Sequence, residues 1–427
     1  MFKKTTLKNG LRIIYIPFKH SKSVTTLVLV GTGSKYEKKE ISGVSHFLEH
    51  MCFKGTKKRP SPVEVVEVLD NIGGSFNAFT SQDYTGYYAK VASSHFDTAL
   101  DWVSDIYLNS TFPKEELEKE KGVIEEEFNM YHDQPMQHIS FLWDKLLYGD
   151  QPAGWNVLGT KESIRNMNRE KIVDYVNNQY TAFNTVVCVV GDVDNREVVE
   201  KVKKSFSELN TNQPLKKKEV KERQSKPNLS FENRDIEQSH IYLGFRGYHI
   251  DHPDRYIQTL LANILGGMMS SRLFVEIRQK MGAAYYISAG SSSNPDTGYL
   301  AVRAGIDRKR EEKIIKRILE EFEKISEEKI SDKELKKAKE NIKGETVLGL
   351  ESSDTQASFY SKQELLSDKV LTPEEMFEKI DKITKKDLLR AAQDIFQPKN
   401  LNLAIINSSK NKKEIKNILE TWKQKKQ

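Results

Sequence analysis

The residues whose types and spacing could do chemistry lie close together, in His46-Phe47-Leu48-Glu49-His50. On an α-helix, positions i, i+3 and i+4 share a face, so His46, Glu49 and His50 project into the same space. Two imidazoles one turn apart can grip one divalent cation, and a carboxylate beside them that does not bind the ion is placed to act as a base. Zinc suits nitrogen and oxygen ligands, and in hydrolytic sites it keeps three protein ligands with a fourth position open to water. The segment therefore predicts metal-assisted hydrolysis and demands a third ligand from elsewhere in the chain.

A second helical segment, Lys114 to Tyr131, meets that demand. Its apolar stripe runs Leu117, Ile124, Phe128 and Tyr131, and Glu120 and Glu127 fall within the same stripe. An ionised carboxylate buried without a partner is costly, so inward glutamates on an apolar face imply a cation or a tight hydrogen-bond network. Glu127 is expected as the third ligand, completing His46 and His50 around one Zn2+ per chain, with Glu49 as base. Glu120 is expected to support the catalytic group by orienting a histidine or the ligand helix. Glu125 and Glu126 occupy other faces of this helix. Cys52 lies off the ligand face and reads as packing.

These segments need a scaffold. Leu11 to Ile16 and Val24 to Val30 read as strands, bounded by Asn-Gly and Gly-Thr-Gly. The motif sits in a helix from about Ser42 to Phe53. A second helix is announced by Ser61 as cap, Pro62 at the first position and Glu64 beyond it, and Gly73-Gly74 stops it. Ser75 to Thr80 and Tyr84 to Val91 read as strands, followed by helices over Phe96 to Leu108 and Lys114 to Tyr131. The order then returns. Thr85-Gly86-Tyr87-Tyr88-Ala89 resembles Thr297-Gly298-Tyr299-Leu300-Ala301, and Lys114-Glu115-Glu116-Leu117-Glu118-Lys119 resembles Asp332-Lys333-Glu334-Leu335-Lys336-Lys337, at nearly the same separation. Two matches in the same order imply an internal duplication. Val186 to Val190 and Leu401 to Ile406 would lie near the ends of the two units. Residues 210–227, dense in Lys, Gln and Pro with little to bury, read as a linker. The expected division is a metal-binding domain over residues 1–209, that linker, and a homologous domain without metal over residues 228–427.

Composition bounds the rest. A chain of 427 residues exceeds the size of a single core, which favours two domains. Its 67 Lys+Arg against 61 Asp+Glu leave a net charge of +6, interleaved with acids rather than gathered in a tract. The clusters Lys216-Lys217-Lys218 and Lys423-Gln424-Lys425-Lys426 accompany no recognition motif, so no nucleic-acid partner is expected. Two cysteines exclude a disulfide framework. The start has two lysines with no apolar stretch behind them, and nowhere do eighteen apolar residues run together. The expectation is no membrane association and a reducing, cytoplasmic setting.

The residues closely resemble the pitrilysin/insulinase family of inverted-motif zinc metallopeptidases, in its two-domain, processing-peptidase-like branch. The resemblance spans nearly the whole chain. It is carried by Gly43-Val44-Ser45-His46-Phe47-Leu48-Glu49-His50 followed by Phe53-Lys54-Gly55-Thr56, by Gly73-Gly74-Ser75-Phe76-Asn77-Ala78, and by Glu120-Lys121-Gly122-Val123-Ile124 closing on Glu127. It implies an α+β fold of two duplicated domains, each a mostly antiparallel sheet packed with helices. It implies metal ligands at His46, His50 and Glu127, the base at Glu49 and a supporting carboxylate at Glu120. Substrate is expected to add as an extra strand along Ser75 to Thr80, contacting Asn77, Ala78 and Phe79. Ser271-Arg272-Leu273-Phe274 through Gly282-Ala283-Ala284-Tyr285 resembles the family's second signature, which implies substrate contacts at Arg278 and Tyr285. A chamber built from four such domains implies that this chain pairs, as a homodimer or as a heterodimer with a related chain, around peptide substrates. The implied activity is that of a zinc-dependent endopeptidase. Its rival is a non-catalytic or partner subunit of a processing peptidase. One departure is Gln151, where many relatives place histidine before the proline.

Overall fold

The computed structural model describes residues 2–408 and 411–425, so Lys426 of the basic tail lies outside the described residues. The chain divides into two compact units. One comprises Met1–Asn129, Trp155–Lys218 and Val347–Thr372, and the other Met130–Gly154, Glu219–Thr346 and Pro373–Gln427.

In the first unit, β1 (Lys3–Thr6), β2 (Arg12–Pro17), β3 (Ser23–Val30), β4 (Ser75–Thr80), β5 (Thr85–Ala92) and β6 (Thr185–Gly191) form one sheet, ordered β1-β2-β6-β3-β5-β4. In the second, β7 (Asn228–Asn233), β8 (Gln238–Arg246), β9 (Ala284–Ser293), β10 (Gly298–Asp307) and β11 (Leu401–Asn407) are ordered β7-β11-β8-β10-β9. All pairs are antiparallel except β2 with β6 and β7 with β11. Without β1 the two orders are the same. The repeated Thr-Gly-Tyr segments fall on β5 and at the entry to β10, which hold equivalent places, and so do β6 and β11. The expected α+β class, with two duplicated and mostly antiparallel sheets, is the observed one.

Helices α1 (Val44–Met51), α2 (Pro62–Asp70), α3 (Phe96–Leu108), α4 (Lys114–Asp133) and α5 (Pro135–Tyr148) fall between β3 and β6. α2 starts as its sequence dictates, with the Ser61 hydroxyl accepting from the Glu64 amide at 3.3 Å and Pro62 in the first turn. α5 did not emerge from periodicity, and it matters for the domain division. Strand β6 is buried along its entire length, and a strand without polar alternation needs cover on both faces. Val187 and Val189 pack with Phe47, Leu48 and Trp102 of α1 and α3. On the opposite face, Val186, Cys188 and Val190 pack with Ala357 and Tyr360, from the helix Ser353–Leu366. β11 is covered in the same way: Ala404 and Ile406 pack with Ile139, Trp143 and Leu147 of α5. Each unit thus takes one covering helix from the other half of the sequence. The contiguous domains 1–209 and 228–427 do not describe this exchange, because a doubly buried strand recruits its second cover by apolar area rather than by sequence proximity.

Residues 210–227 hold neither helix nor strand, yet they are pinned. In the first unit Lys217 pairs with buried Asp83 at 2.6 Å, and Gln179 donates to the Leu215 carbonyl at 3.2 Å. In the second, Gln151 donates to the Lys221 carbonyl at 3.0 Å and accepts from its amide at 2.9 Å. The Gln151 amide thereby serves both backbone groups of one residue. No helix among the described residues is long and apolar enough to cross a membrane.

Candidate metal and hydrolytic site

α1 is only eight residues long, so its position depends on anchors outside it. Val44, Phe47, Leu48 and Met51 bury one face in the core of the first unit. Its entry is set by Gly43 at φ 90°, where an added Cβ would meet the Leu158 carbonyl oxygen at 2.6 Å. The buried carboxylate of Glu37 accepts from the Gly43 amide at 2.6 Å and from the Ser45 amide at 2.9 Å, covering donors that the first helical turn leaves unpaired. Burial pushes Glu37 up to about 7 despite those two bonds. The Ser45 hydroxyl meets the Tyr175 hydroxyl at 2.8 Å, which in turn meets Thr32 at 2.6 Å. The motif residues themselves do not announce this anchoring.

On the other face of α1, the two imidazole Nε2 atoms of His46 and His50 stand 3.3 Å apart. Glu127 Oε2, from α4, lies 3.5 Å from His46 Nε2 and 3.4 Å from His50 Nε2. Ligands at about 2.0–2.1 Å from a tetrahedral ion stand roughly 3.3–3.4 Å apart. The three atoms therefore sit at the corners of one face of a zinc-sized tetrahedron, and two nitrogens with one carboxylate oxygen are a donor set that zinc accepts. Glu120 lies deeper, only 3% exposed, and accepts from His50 Nδ1 at 2.8 Å while Lys54 pairs with its other oxygen at 2.7 Å. Its contact with the trio is made through His50. Glu125, on another face of α4, pairs with Arg165 at 2.7 Å.

The charges follow from these contacts. Burial, reinforced by the neighbouring His50, pushes His46 down to about 4. Burial also acts to lower His50, but the bonds from Glu120 and Glu127 outweigh it and raise the imidazole to about 9. Glu120 and Glu127 both fall below the usual carboxylate range: burial acts to raise each, and the contacts with His50 prevail, together with Lys54 for Glu120 and His46 for Glu127. Glu49 is raised by burial, with a bond from Thr80 opposing. Burial thus favours the neutral form of His46, whereas the carboxylates beside His50 favour its protonated form, against which a cation must compete.

β4 lies at the end of its sheet and pairs with β5 only. Asn77 is exposed, and its Oδ1 accepts from the Ala78 amide at 2.9 Å. Ala78 packs into the core at 7% exposure, and Phe79 lies edge-on to Tyr84 with the Lys362 ammonium above both rings. At the strand's last residue, the Thr80 hydroxyl donates to Glu49 Oε2 at 2.5 Å. Sequence reasoning did not single out Thr80 or Glu37. Arg278 and Tyr285 belong to the second unit, where both are exposed: Tyr285 is 74% accessible, and Arg278 rests over the Phe274 ring at 5.0 Å.

A second trio, His132, His138 and Glu232, also brings its ligand atoms within 4.8 Å of one another. It differs in one respect. Arg234 bonds both Glu232 and, at 2.7 Å, His132 Nε2, so a guanidinium already supplies the positive charge that a metal would bring. His138 completes the cluster at 3.0 Å from Glu232.

A duplicated α+β scaffold whose first repeat joins a reversed His-Glu-His helix to a carboxylate from a neighbouring helix is the arrangement that the resemblance to inverted-motif metallopeptidases implies. Residues 12–161 match the family model described as insulinase (peptidase family M16), and residues 166–342 match the one described as peptidase M16 inactive domain. An uncharacterized zinc protease of Bacillus subtilis is 36% identical over 96% of this chain and 99% of its own length. Another from Rickettsia felis is 34% identical over 92% and 95%. Among solved structures, a protease from Helicobacter pylori aligns with a TM-score of 0.89 at 26% identity, over 95% of this chain and 99% of that one. The chain belongs to the insulinase family, peptidase family M16.

Proposed function

We propose that this chain is a zinc-dependent endopeptidase that hydrolyses peptide bonds in unfolded peptides or flexible segments. The observation that carries the reading is the mutual spacing of His46 Nε2, His50 Nε2 and Glu127 Oε2, at 3.3–3.5 Å. Two relatives with the name zinc protease support it. When bound, zinc would lower the pKa of a coordinated water toward about 7 and polarise the scissile carbonyl. Glu49 takes the proton of the attacking water and passes it to the leaving amine, a task suited to a carboxyl raised by burial. His50 is aimed by Glu120, and Glu120 is held in turn by Lys54. The open edge of β4 offers backbone groups to an extended peptide, which gives affinity with loose sequence preference. Arg278 and Tyr285 are carried over as substrate contacts from the resemblance of their segment to the family's second signature; both are exposed, and a guanidinium and a phenol can hydrogen-bond a peptide carbonyl.

We further propose that the chain works in a dimeric chamber, with a second copy or a related chain. Two buried free thiols, Cys52 and Cys188, suit a cytoplasmic setting. The rival reading, a non-catalytic or partner subunit, gives no reason for three donor atoms to converge at ligand spacing. Zinc analysis of the purified protein, with cleavage of a mixed peptide library in the presence and absence of chelator, tests the proposal. The expected result is one zinc per chain and chelator-sensitive cleavage, with Glu49→Gln retaining zinc and losing cleavage. Protein that takes up no zinc, or cleavage indifferent to its removal, would overturn it.

A further inference from the structure

The hairpin closing β4 and β5 fixes which way each peptide group of β4 faces. The Ser81 amide donates to the Tyr84 carbonyl at 2.8 Å, so that pair is hydrogen-bonded. Bonded and non-bonded pairs alternate along an antiparallel ladder. With Thr80 opposite Thr85, Ala78 opposite Tyr87 and Phe76 opposite Ala89, these three residues are the non-bonded ones, and their N–H and C=O groups face away from β5. No described strand pairs with β4 on that side. The bond from Asn77 Oδ1 to the Ala78 amide agrees: an outward donor takes the nearest side-chain acceptor when no strand is there.

Side-chain direction alternates in step. Phe76 and Ala78 pack into the core that α1 shares, whereas Phe79 faces the helix Ser353–Leu366. Thr80 has the parity of Phe76 and Ala78. It therefore turns its peptide group to the open edge and its hydroxyl to Glu49, which it meets at 2.5 Å. An O–H donor to a carboxylate at this distance is a strong, orienting bond. Glu49 has three side-chain torsions to fix, and no other side-chain hydrogen bond to it is seen among the described residues.

We propose that Thr80 is a positioning residue that ties the register of a peptide paired on β4 to the orientation of the base Glu49. This rests on the peptidase reading above. A peptide that seats against the Thr80 backbone meets a base already aimed by the same residue, whereas one seated out of register pairs elsewhere on the edge and lacks that alignment.

Thr80→Val keeps shape and backbone and deletes only the hydroxyl, Thr80→Ala deletes it by a second route, and Thr80→Ser keeps it. With zinc-loaded protein and a fluorogenic extended peptide, Val and Ala should lower kcat about 10- to 100-fold with KM within about threefold of the parent, and Ser should recover kcat to within about threefold. Zinc content and thermal midpoint should not change for Val and Ser. A second readout needs no activity: in crystals of the metal-free Thr80→Val protein, the Glu49 carboxylate should leave its parental position or split between rotamers. Unchanged kcat, a rise in KM alone, failure of Ser to restore kcat, or an unmoved Glu49 in the crystal would each overturn the proposal. A parent chain that neither holds zinc nor cuts peptides would sink the peptidase reading instead, and the Glu49 rotamer would still decide the role of Thr80.

Discussion

Zinc uptake by this protein should cost one proton, and that proton is on His50. Glu120 and Glu127 favour the protonated imidazole of His50 and push it up to about 9, whereas burial pushes His46 down to about 4, which favours its neutral form at pH 7. A ligand must be deprotonated to bind, so apparent affinity falls as the proton competes. Between pH 6 and 8 the zinc association constant should rise about tenfold per pH unit, or about 1.4 kcal/mol, and level off only near pH 9. At pH 7 the site should thus bind roughly a hundredfold more weakly than at its alkaline limit. Competition against a chelator of known pH dependence gives the slope, and calorimetry in buffers of different ionisation enthalpy counts the protons directly. Glu120→Gln removes the carboxylate that holds the Nδ1 proton, so the plateau should move to lower pH. An affinity that is flat between pH 6 and 8, a slope of two, or a Glu120→Gln profile identical to the parent's would refute this account of the site.

The same shift has a consequence for stability. A raised histidine contributes stability that is fully present below its unfolded value of 6.5 and is lost as pH rises through about 9. Chelated protein should therefore lose about 3 kcal/mol between those limits, and a thermal midpoint that held steady across them would contradict it. Glu127→Ala should abolish stoichiometric zinc binding by removing one of three ligands, as read by metal analysis after dialysis. His138→Ala should leave one zinc per chain, since Arg234 already fills the second cluster. A fall in stoichiometry there would assign that trio a metal after all. Glu37→Ala leaves the Gly43 and Ser45 amides unpaired at the buried start of α1, and should cost about 2–4 kcal/mol in denaturant unfolding while weakening zinc binding.

By itself the sequence determined the features that local periodicity encodes. Helical spacing put His46, Glu49 and His50 on one face, and the stripe of α4 turned Glu120 and Glu127 inward. Cap and stop residues bounded α2, and the repeated Thr-Gly-Tyr segments betrayed the duplication. Each of these signals spans a few residues, because side-chain direction recurs every turn of a helix and every second residue of a strand. Tertiary structure decided the rest: that the helix Ser353–Leu366 covers the first sheet and α5 the second, that Glu37 latches α1, and that Thr80 reaches Glu49. Apolar burial has no direction, so a strand such as β6 specifies that it must be covered on both sides without specifying by which segment. A hydrogen bond between side chains or amides of different elements, as between Thr80 and Glu49 or Glu37 and the start of α1, leaves no periodic trace in either, and only the packed fold brings its two ends together.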